Sequence, residues 1–193
     1  ARARRERLFR MGVMAVRDAG DRNGVGLALQ ADAAATPEPP YLDSPGAAIF
    51  HKGRYGSFMG LPMEDDGTPE ACVEGRCRAG AKRIKLLATG IINFQKGAVT
   101  APPQMSAEEV GAFVAAARAR GRQTFAHASG TDGVGNSIAG GVTTVEHGFF
   151  VTRDQLAQMR DRGTGWVPTF APVQMQIDHA AVMGWSDEIV GGL

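Results

Sequence analysis

The chain has 193 residues with 21 basic and 20 acidic side chains, and its formal net charge of +1 gives no reason to expect a nucleic acid partner. A hydrophobic content of 44% is enough for a sizeable core, so residues 1–193 are interpreted as a single α/β domain. No apolar run approaches the roughly 18 to 20 residues of a membrane span, and no signal-peptide pattern is present. These features predict a protein that does not enter membranes, and the spacing of Cys72 and Cys77 predicts reduced thiols in a cytoplasm.

The first third of the chain gives weak structural signals. The basic run at residues 1–10 predicts a solvated helix, and residues 13–18 predict a strand. Residues 33–45 are rich in alanine, proline and acidic side chains, which predicts a surface connection.

A glycine-rich segment follows at residues 49–60, after a brief apolar start. It mixes imidazole, guanidinium and phenol groups, and three of its side chains are predicted to line a substrate pocket: His51, Arg54 and Tyr55. A mobile surface loop is the alternative interpretation of this segment.

The remainder of the chain alternates helix and strand signals. Thr68 and Pro69 are typical of a helix start, and Ser106 with Glu109 has the spacing of a capping box. One helix is predicted from the Thr68 signal to Gly80, and a second from the Ser106 signal to Arg120. Three more are predicted over 131–141, 152–162 and 174–193, the last of which contains His179 and Trp185. Strands are predicted over 84–90, 123–128, 142–148 and 166–170, and residues 91–103 are predicted to be a long loop. The free thiols of Cys72 and Cys77 lie in the first of these helices, at a spacing that suits neither a disulfide nor a zinc knuckle.

Three ionisable side chains lie on consecutive strands of this pattern: Lys85, His127 and His147. Parallel strands joined by helices place their carboxyl ends on one face, so these side chains are expected to converge there. Imidazole nitrogens suit zinc and similar divalent ions. Taken singly, a lysine that faces water or a neighbouring carboxylate and two structural histidines are the more common interpretation of these residue types. The joint placement of all three on successive strand ends makes a metal site an equally good interpretation.

The three strand segments, Ile84 to Gly90, Phe125 to Gly130 and Val145 to Gly148, resemble the metal-dependent hydrolases of the amidohydrolase superfamily. Within it, they are most similar to the group of imidazolonepropionase-like proteins and Xaa-Pro dipeptidases (prolidases). The resemblance implies a (β/α)8 TIM-type barrel with one or two divalent metals, expected to be zinc, at its strand ends. It implies that Lys85 is a catalytic, CO2-carboxylated lysine, and that Lys85, His127 and His147 are metal ligands.

This sequence departs from the family pattern in three respects. Ser129 stands where the family often has a second histidine after His127. The family's first-strand His-X-His pair and eighth-strand aspartate are absent, so the chain is expected to be an internal portion of the barrel, covering about strands 2 to 7. An incomplete barrel would expose strand edges, which folded proteins generally avoid, so the chain is expected to be a piece of a longer hydrolase. A homo-oligomer and a small-molecule amide or peptide substrate are the expected partners.

The function predicted from the resemblance is hydrolysis of a C–N bond in a small amide, dipeptide or cyclic amide by a metal-activated water. Two alternatives stay open. One is a non-catalytic remnant or oligomerising module with the same fold. The other is a βα-barrel lyase or isomerase in which Lys85 acts as a Schiff-base or general-base lysine.

Overall fold

The computed structural model describes residues 2–35, 40–93 and 98–191, which form a parallel α/β sheet with helices packed on one side. The strands in the described ranges are β1 (Ala15–Arg17), β2 (Tyr41–Asp43), β3 (Ala48–Phe50), β4 (Gly60–Pro62), β5 (Arg83–Leu87), β6 (Ile92–Asn93), β7 (Ala98–Val99), β8 (Gln123–Ala128), β9 (Thr144–His147) and β10 (Gly165–Val167). The helices in these ranges are α1 (Arg2–Arg10), α2 (Val25–Ala35), α3 (Met63–Asp66), α4 (Pro69–Arg78), α5 (Ala107–Arg118), α6 (Thr131–Gly140), α7 (Arg153–Arg162), α8 (Phe170–Asp178) and α9 (Asp187–Gly191).

The main sheet has the order β10-β9-β8-β5-β3-β4, and all of its strand pairs are parallel. Helices connect β5 to β8, β8 to β9 and β9 to β10, as the βα repeat predicts. Strands β1 and β2 form a separate parallel pair, and β6 and β7 a short antiparallel one. The described chain is therefore a partial barrel, as predicted.

The two faces of the main sheet have different roles because side chains alternate along each strand. Leu86, Ala126 and Val145 are register partners on adjacent strands, and they are buried in the main core with Val110 and Phe113 of α5. The helices therefore cover this face. Lys85 and its register partners point to the opposite face, which is the interior of the partial barrel.

The helix starts follow the predicted capping signals. Ser106 and Glu109 form both hydrogen bonds of a capping box at the start of α5, and Thr152 does the same with Gln155 at α7. Thr68 caps α4 by accepting from the amide of Ala71. These caps fix where each helix leaves the strand-end face.

Several predicted boundaries were wrong. Residues 33–45 are not a surface connection, since α2 extends to Ala35 and β2 pairs with β1; residues 36–39 lie outside the described ranges. Alanine is a strong helix former, which explains the extension of α2. The predicted loop 91–103 contains the β6–β7 pair, and residues 94–97 lie outside the described ranges.

The end of the chain also differs from its prediction. The strand predicted over 166–170 is β10, which ends at Val167 before a proline, and Phe170 already begins α8. The helix predicted over 174–193 is two helices, with His179 at the end of α8 and Trp185 in the segment between α8 and α9. Residues 192 and 193, like residue 1, lie outside the described ranges.

Two further predictions concern cysteines and membranes. Cys72 is buried in the main core and Cys77 is partly buried, and both are free thiols. No helix in the described part of the chain is long and apolar enough to cross a membrane.

Candidate active site

The interior face of the sheet carries the predicted site. Lys85 is the register partner of Phe125, and His127 is the register partner of Glu146. Because register partners on adjacent strands point the same way, these four side chains form two adjoining layers of the barrel interior. The sequence-predicted lysine and first histidine are thus brought to one surface.

His147 reaches the same surface by a different route. Strand alternation would point it away from Glu146, but it has a left-handed backbone with a φ of 67°. The following Gly148 also has a positive φ, and the indole of Trp166 donates to the carbonyl oxygen of His147 at 2.8 Å. As a result, the His127 and His147 rings lie edge to face with centroids 4.7 Å apart.

The neighbours of each imidazole determine its tautomer. Nε2 of His127 lies 3.1 Å from the carbonyl oxygen of Gly90, which can only accept, so Nε2 carries the proton. The Thr169 hydroxyl donates to the carbonyl of Pro168 at 2.7 Å, so Nδ1 of His147 must donate to that hydroxyl at 2.9 Å. The lone pairs left over are on Nδ1 of His127 and Nε2 of His147.

Both imidazoles are neutral at physiological pH. Burial lowers the pKa of His127 to about 4, with further lowering by His147 and Lys85 that outweighs the hydrogen bond to Gly90. Burial is also the largest cause that lowers the pKa of His147. Neutral imidazoles with free lone pairs are what a divalent ion needs.

Lys85 is buried, with 3% of its surface exposed. Its Nζ lies 4.6 Å from the ring centroid of Phe125, and within the described ranges no oxygen accepts a hydrogen bond from it. Burial lowers the pKa of this amine to about 8, although the Glu146 carboxylate raises it and the Arg17 cation lowers it further. At pH 7, about a tenth of Lys85 is therefore present as the neutral, nucleophilic amine.

The carboxylate of Glu146 is held away from Lys85 by a closed set of hydrogen bonds. Arg17 on β1 donates from Nη2 to Glu146 Oε2 at 2.7 Å and from Nη1 to Thr144 Oγ1 at 2.9 Å. Thr144 donates in turn to Glu146 Oε1 at 2.6 Å. This cluster of three side chains, which we call the Arg17 cluster, links the β1–β2 pair to the main sheet.

The three predicted substrate-binding residues lie in different surroundings. Tyr55 is beside the site, with its ring centroid 5.3 Å from that of His127. Arg54 donates to the carbonyl of Pro102 at 2.6 Å. The imidazole of His51 lies between Glu64 and Glu109, at 2.8 and 3.2 Å, on the outer side of the strand ends.

A cavity of about 530 Å³ opens at the carboxyl ends of β5 and β8. Its walls include Thr89 and Ser129, which closely follow Lys85 and His127 in the sequence, and Phe150. The β7 strand and the loop after it cover one side of the cavity.

The donor set fits a metal ion in part. No group of three or more His, Cys, Asp or Glu side chains that could hold a metal is found among the residues that the structure describes. Two imidazole nitrogens are available, and a lysine becomes a ligand only once it is carboxylated. The two histidines and a modified Lys85 would give three ligand groups, which is fewer than the four of a closed zinc site.

The sequence interpretation missed three residues that shape the site: Arg17, Glu146 and Thr169. The alternation of Thr144 and Glu146 on β9 was a usable signal, because residues two apart share a face of a strand. The contact between β1 and β9 joins residues more than one hundred positions apart, and nothing local in the sequence encodes it.

Parallel βα units with ionisable side chains converging at the strand ends are the arrangement of a (β/α)8-barrel enzyme. The chain belongs to the amidohydrolase family, whose model matches residues 6–177. The predicted resemblance is thus confirmed.

Similar proteins agree with this assignment. One match is the crystal structure of a Xaa-Pro dipeptidase with bound methionine, which is 25% identical in sequence and has a TM-score of 0.71. The matched region is 92% of this chain and 47% of the dipeptidase chain. A prolidase complexed with N-methylphosphonate-L-proline is 24% identical with a TM-score of 0.73, over 96% of this chain and 49% of its own. Ochratoxinase from A. niger shares the fold with a TM-score of 0.71 at 19% identity, over 93% of this chain and 47% of its own.

Curated relatives are uncharacterized proteins from Mycobacterium tuberculosis and Mycobacterium bovis. Each is 29% identical over 130 residues, which is 67% of this chain and 34% of the relative. The chain therefore spans about a third of the length of these relatives and about half that of the matched structures.

Proposed function

We propose that this chain contributes the metal site of a hydrolase that cleaves C–N bonds in small amides, dipeptides or cyclic amides. The observation that carries the proposal is the pairing of two neutral imidazoles, each with a free lone pair, beside a buried lysine for which the described residues offer no hydrogen-bond acceptor. Membership of the amidohydrolase family supports hydrolysis as the reaction class.

Lys85 is proposed to be carboxylated. Its neutral Nζ attacks the carbon of CO2, an N–C bond forms, and one proton leaves the nitrogen for water, which yields a carbamate. This group is an anionic oxygen ligand on a side chain that is otherwise expensive to bury. Pairing it with a cation offsets much of the burial cost.

His127 Nδ1 and His147 Nε2 are proposed to be the nitrogen ligands, with zinc as the expected metal. When bound, one or two such ions supply Lewis acidity and lower the pKa of a coordinated water. The carbonyl of Gly90 and the hydroxyl of Thr169 fix the ring orientations and keep each outward nitrogen unprotonated. With three ligand groups, the isolated chain is expected to hold one ion and to turn over slowly.

The cavity of about 530 Å³ is proposed to receive the substrate. Its volume suits a small molecule, and its walls combine hydroxyl groups with apolar side chains. Tyr55 does not line this cavity, but its ring lies 5.3 Å from that of His127, and we propose that it contacts the substrate. The likeness to a Xaa-Pro dipeptidase favours a dipeptide among the candidate substrates.

The test is elemental analysis of the dialysed protein beside the double variant Lys85→Ala/His147→Ala. The matched control is Lys82→Ala/His179→Ala, which changes the same residue types at exposed positions. Near-stoichiometric zinc in the parent and control, but not in the site variant, is expected. Equal metal content in all three proteins, or none in the parent, would refute the metal site and favour the non-catalytic alternative.

The buried amine of Lys85 also favours a second candidate, a lyase or isomerase that forms a Schiff base. The lowered pKa of about 8 gives this lysine the nucleophilicity that such chemistry needs. Borohydride in the presence of a carbonyl substrate would then attach the substrate covalently to Lys85. Mass spectrometry of the Lys85 peptide distinguishes this stable adduct from the carbamate, which loses CO2 in acid.

A further inference from the structure

The Arg17 cluster lies next to the proposed ligands but contributes none of them. Glu146 immediately precedes His147, is the register partner of His127, and is 7% exposed. Its carboxylate is close enough to Lys85 to act on that amine electrostatically. Even so, the described structure gives Lys85 no ion pair, and the carboxylate is turned to Arg17 instead.

Geometry explains why Glu146 prefers Arg17. One guanidinium nitrogen binds the carboxylate and the other binds the hydroxyl of Thr144, which itself donates to the second carboxylate oxygen. Both Glu146 oxygens are therefore occupied. A planar guanidinium can hold two acceptors at once in this way, and an ammonium group would not do so with the same geometry.

Arg17 and Lys85 also share an aromatic neighbour. The Arg17 Cζ and the Lys85 Nζ each lie 4.6 Å from the ring centroid of Phe125. The phenyl ring is therefore a contact common to the two cations, and Glu146 has two possible partners in one small region of the barrel. Only one of them leaves Lys85 available.

We infer that Arg17 is a positioning residue, which holds the Glu146 carboxylate off Lys85 and so keeps the lysine amine open to CO2. The inference rests on the proposed carboxylation of Lys85. Without the guanidinium, the buried carboxylate loses its cation and turns to Lys85, on which it already acts electrostatically. A Glu146 oxygen bound to the Lys85 nitrogen would occupy a side of that nitrogen from which CO2 must approach.

The first test is a crystal structure of Arg17→Met. A Glu146 oxygen is expected within about 4 Å of the Lys85 nitrogen, the usual limit for an ion pair. A carboxylate that stays on Thr144 or turns to solvent overturns the inference. Arg17→Gln, which removes the charge but keeps a hydrogen-bonding amide, replaces Arg17→Met if that variant does not fold, with the same two outcomes.

The second test measures the carbamate by 13C NMR in labelled bicarbonate, with Lys85→Ala as the blank. Signal is expected in the parent, lost in Arg17→Met, and restored in Arg17→Met/Glu146→Gln, because the neutral amide cannot form an ion pair with Lys85. Glu146→Gln also removes the unpaired buried carboxylate that destabilises Arg17→Met, so circular dichroism and thermal unfolding must first show Arg17→Met to be folded. Loss of signal in the folded single variant, with restoration in the double variant, then separates positioning from a merely structural role. Retained signal in Arg17→Met, or no restoration in the double variant, overturns the inference.

The matched control is Arg83→Met, which removes another partly buried arginine ion pair, with Asp43, at the opposite end of β5. Its carbamate signal is expected to equal that of the parent, and its loss would count against a specific role of Arg17. A parent without carbamate signal refutes the carboxylation in the proposed function. In that case, the position of Glu146 in the Arg17→Met crystal structure decides by itself whether Arg17 holds the carboxylate away from Lys85.

Discussion

Alanine substitutions at two helical glycines are expected to have opposite effects on stability, because only one of the glycines lies where α5 and α6 approach closely. A Cβ at Gly140 would lie 2.4 Å from Val110 Cγ1 and 2.9 Å from the backbone nitrogen of Gly111. A Cβ at Gly75 in α4 would meet only Asp66 Oδ1, at 3.9 Å. Gly140→Ala should therefore destabilise the protein, and Gly75→Ala should stabilise it.

The magnitudes follow from two competing effects. Overpacking of a tight contact costs about 1–3 kcal/mol, and the backbone of Gly111 cannot move aside as a side-chain end can. Replacing glycine by alanine in a helix gains roughly 0.5–1 kcal/mol. The net change in the free energy of unfolding is thus a loss of about 1–2 kcal/mol at Gly140 and a gain of about 0.5–1 kcal/mol at Gly75.

Urea unfolding followed by circular dichroism measures both changes, and thermal unfolding checks them. For a chain of this size, each kcal/mol corresponds to about 2–4 °C in Tm. Gly140→Ala is expected to lower Tm and Gly75→Ala to raise it. If Gly140→Ala were as stable as the parent, the α5–α6 crossing would be looser than the structure has it, and the steric reasoning would be wrong.

Three further predictions concern ligand orientation, pH and capping. Thr169→Val removes the acceptor of the His147 Nδ1 proton and should weaken zinc binding about 10- to 100-fold in a chelator competition. The control Thr164→Val loses only a 3.4 Å hydrogen bond to a backbone carbonyl and should leave the zinc affinity unchanged. At Asp21, burial raises the carboxyl pKa, but hydrogen bonds from the backbone amides at the start of α2 lower it by more, so the folded pKa lies below the unfolded one. The resulting stabilisation is present at neutral pH and is lost as the pH falls through the folded pKa. The stability gap between the parent and Asp21→Asn in urea should accordingly be larger at pH 7 than near pH 3, and an equal gap would contradict this assignment. Ser106→Ala should cost about 1 kcal/mol of unfolding free energy through loss of the α5 cap, and an unchanged urea midpoint would show that the capping box contributes nothing.

The elements nearest the site were the ones that the sequence predicted well. β8 was predicted at its observed bounds, and the capping box predicted at Ser106 is formed. Short apolar runs bounded by glycine, and caps three residues apart, are local patterns that depend little on the rest of the chain. Lys85 and His127 could be placed for the same reason.

The remaining features depend on contacts distant in sequence. The Arg17 cluster joins β1 to β9, and Thr169 meets His147 across 22 positions. The left-handed backbone of His147 is also invisible to strand periodicity, which would have turned its ring out of the barrel. Tertiary packing determines these features, so patterns within a short stretch of sequence could not predict them.

The two cysteines have a practical consequence for spectroscopy. Burial raises the pKa of the Cys72 thiol to about 11, although Arg76 opposes the shift, so almost no thiolate is present there at neutral pH. Cys77, five residues further along α4, is partly exposed. A maleimide dye should therefore label Cys77 selectively in the unaltered protein. Such a dye would report on changes in the surroundings of α4, without the introduction of a new cysteine.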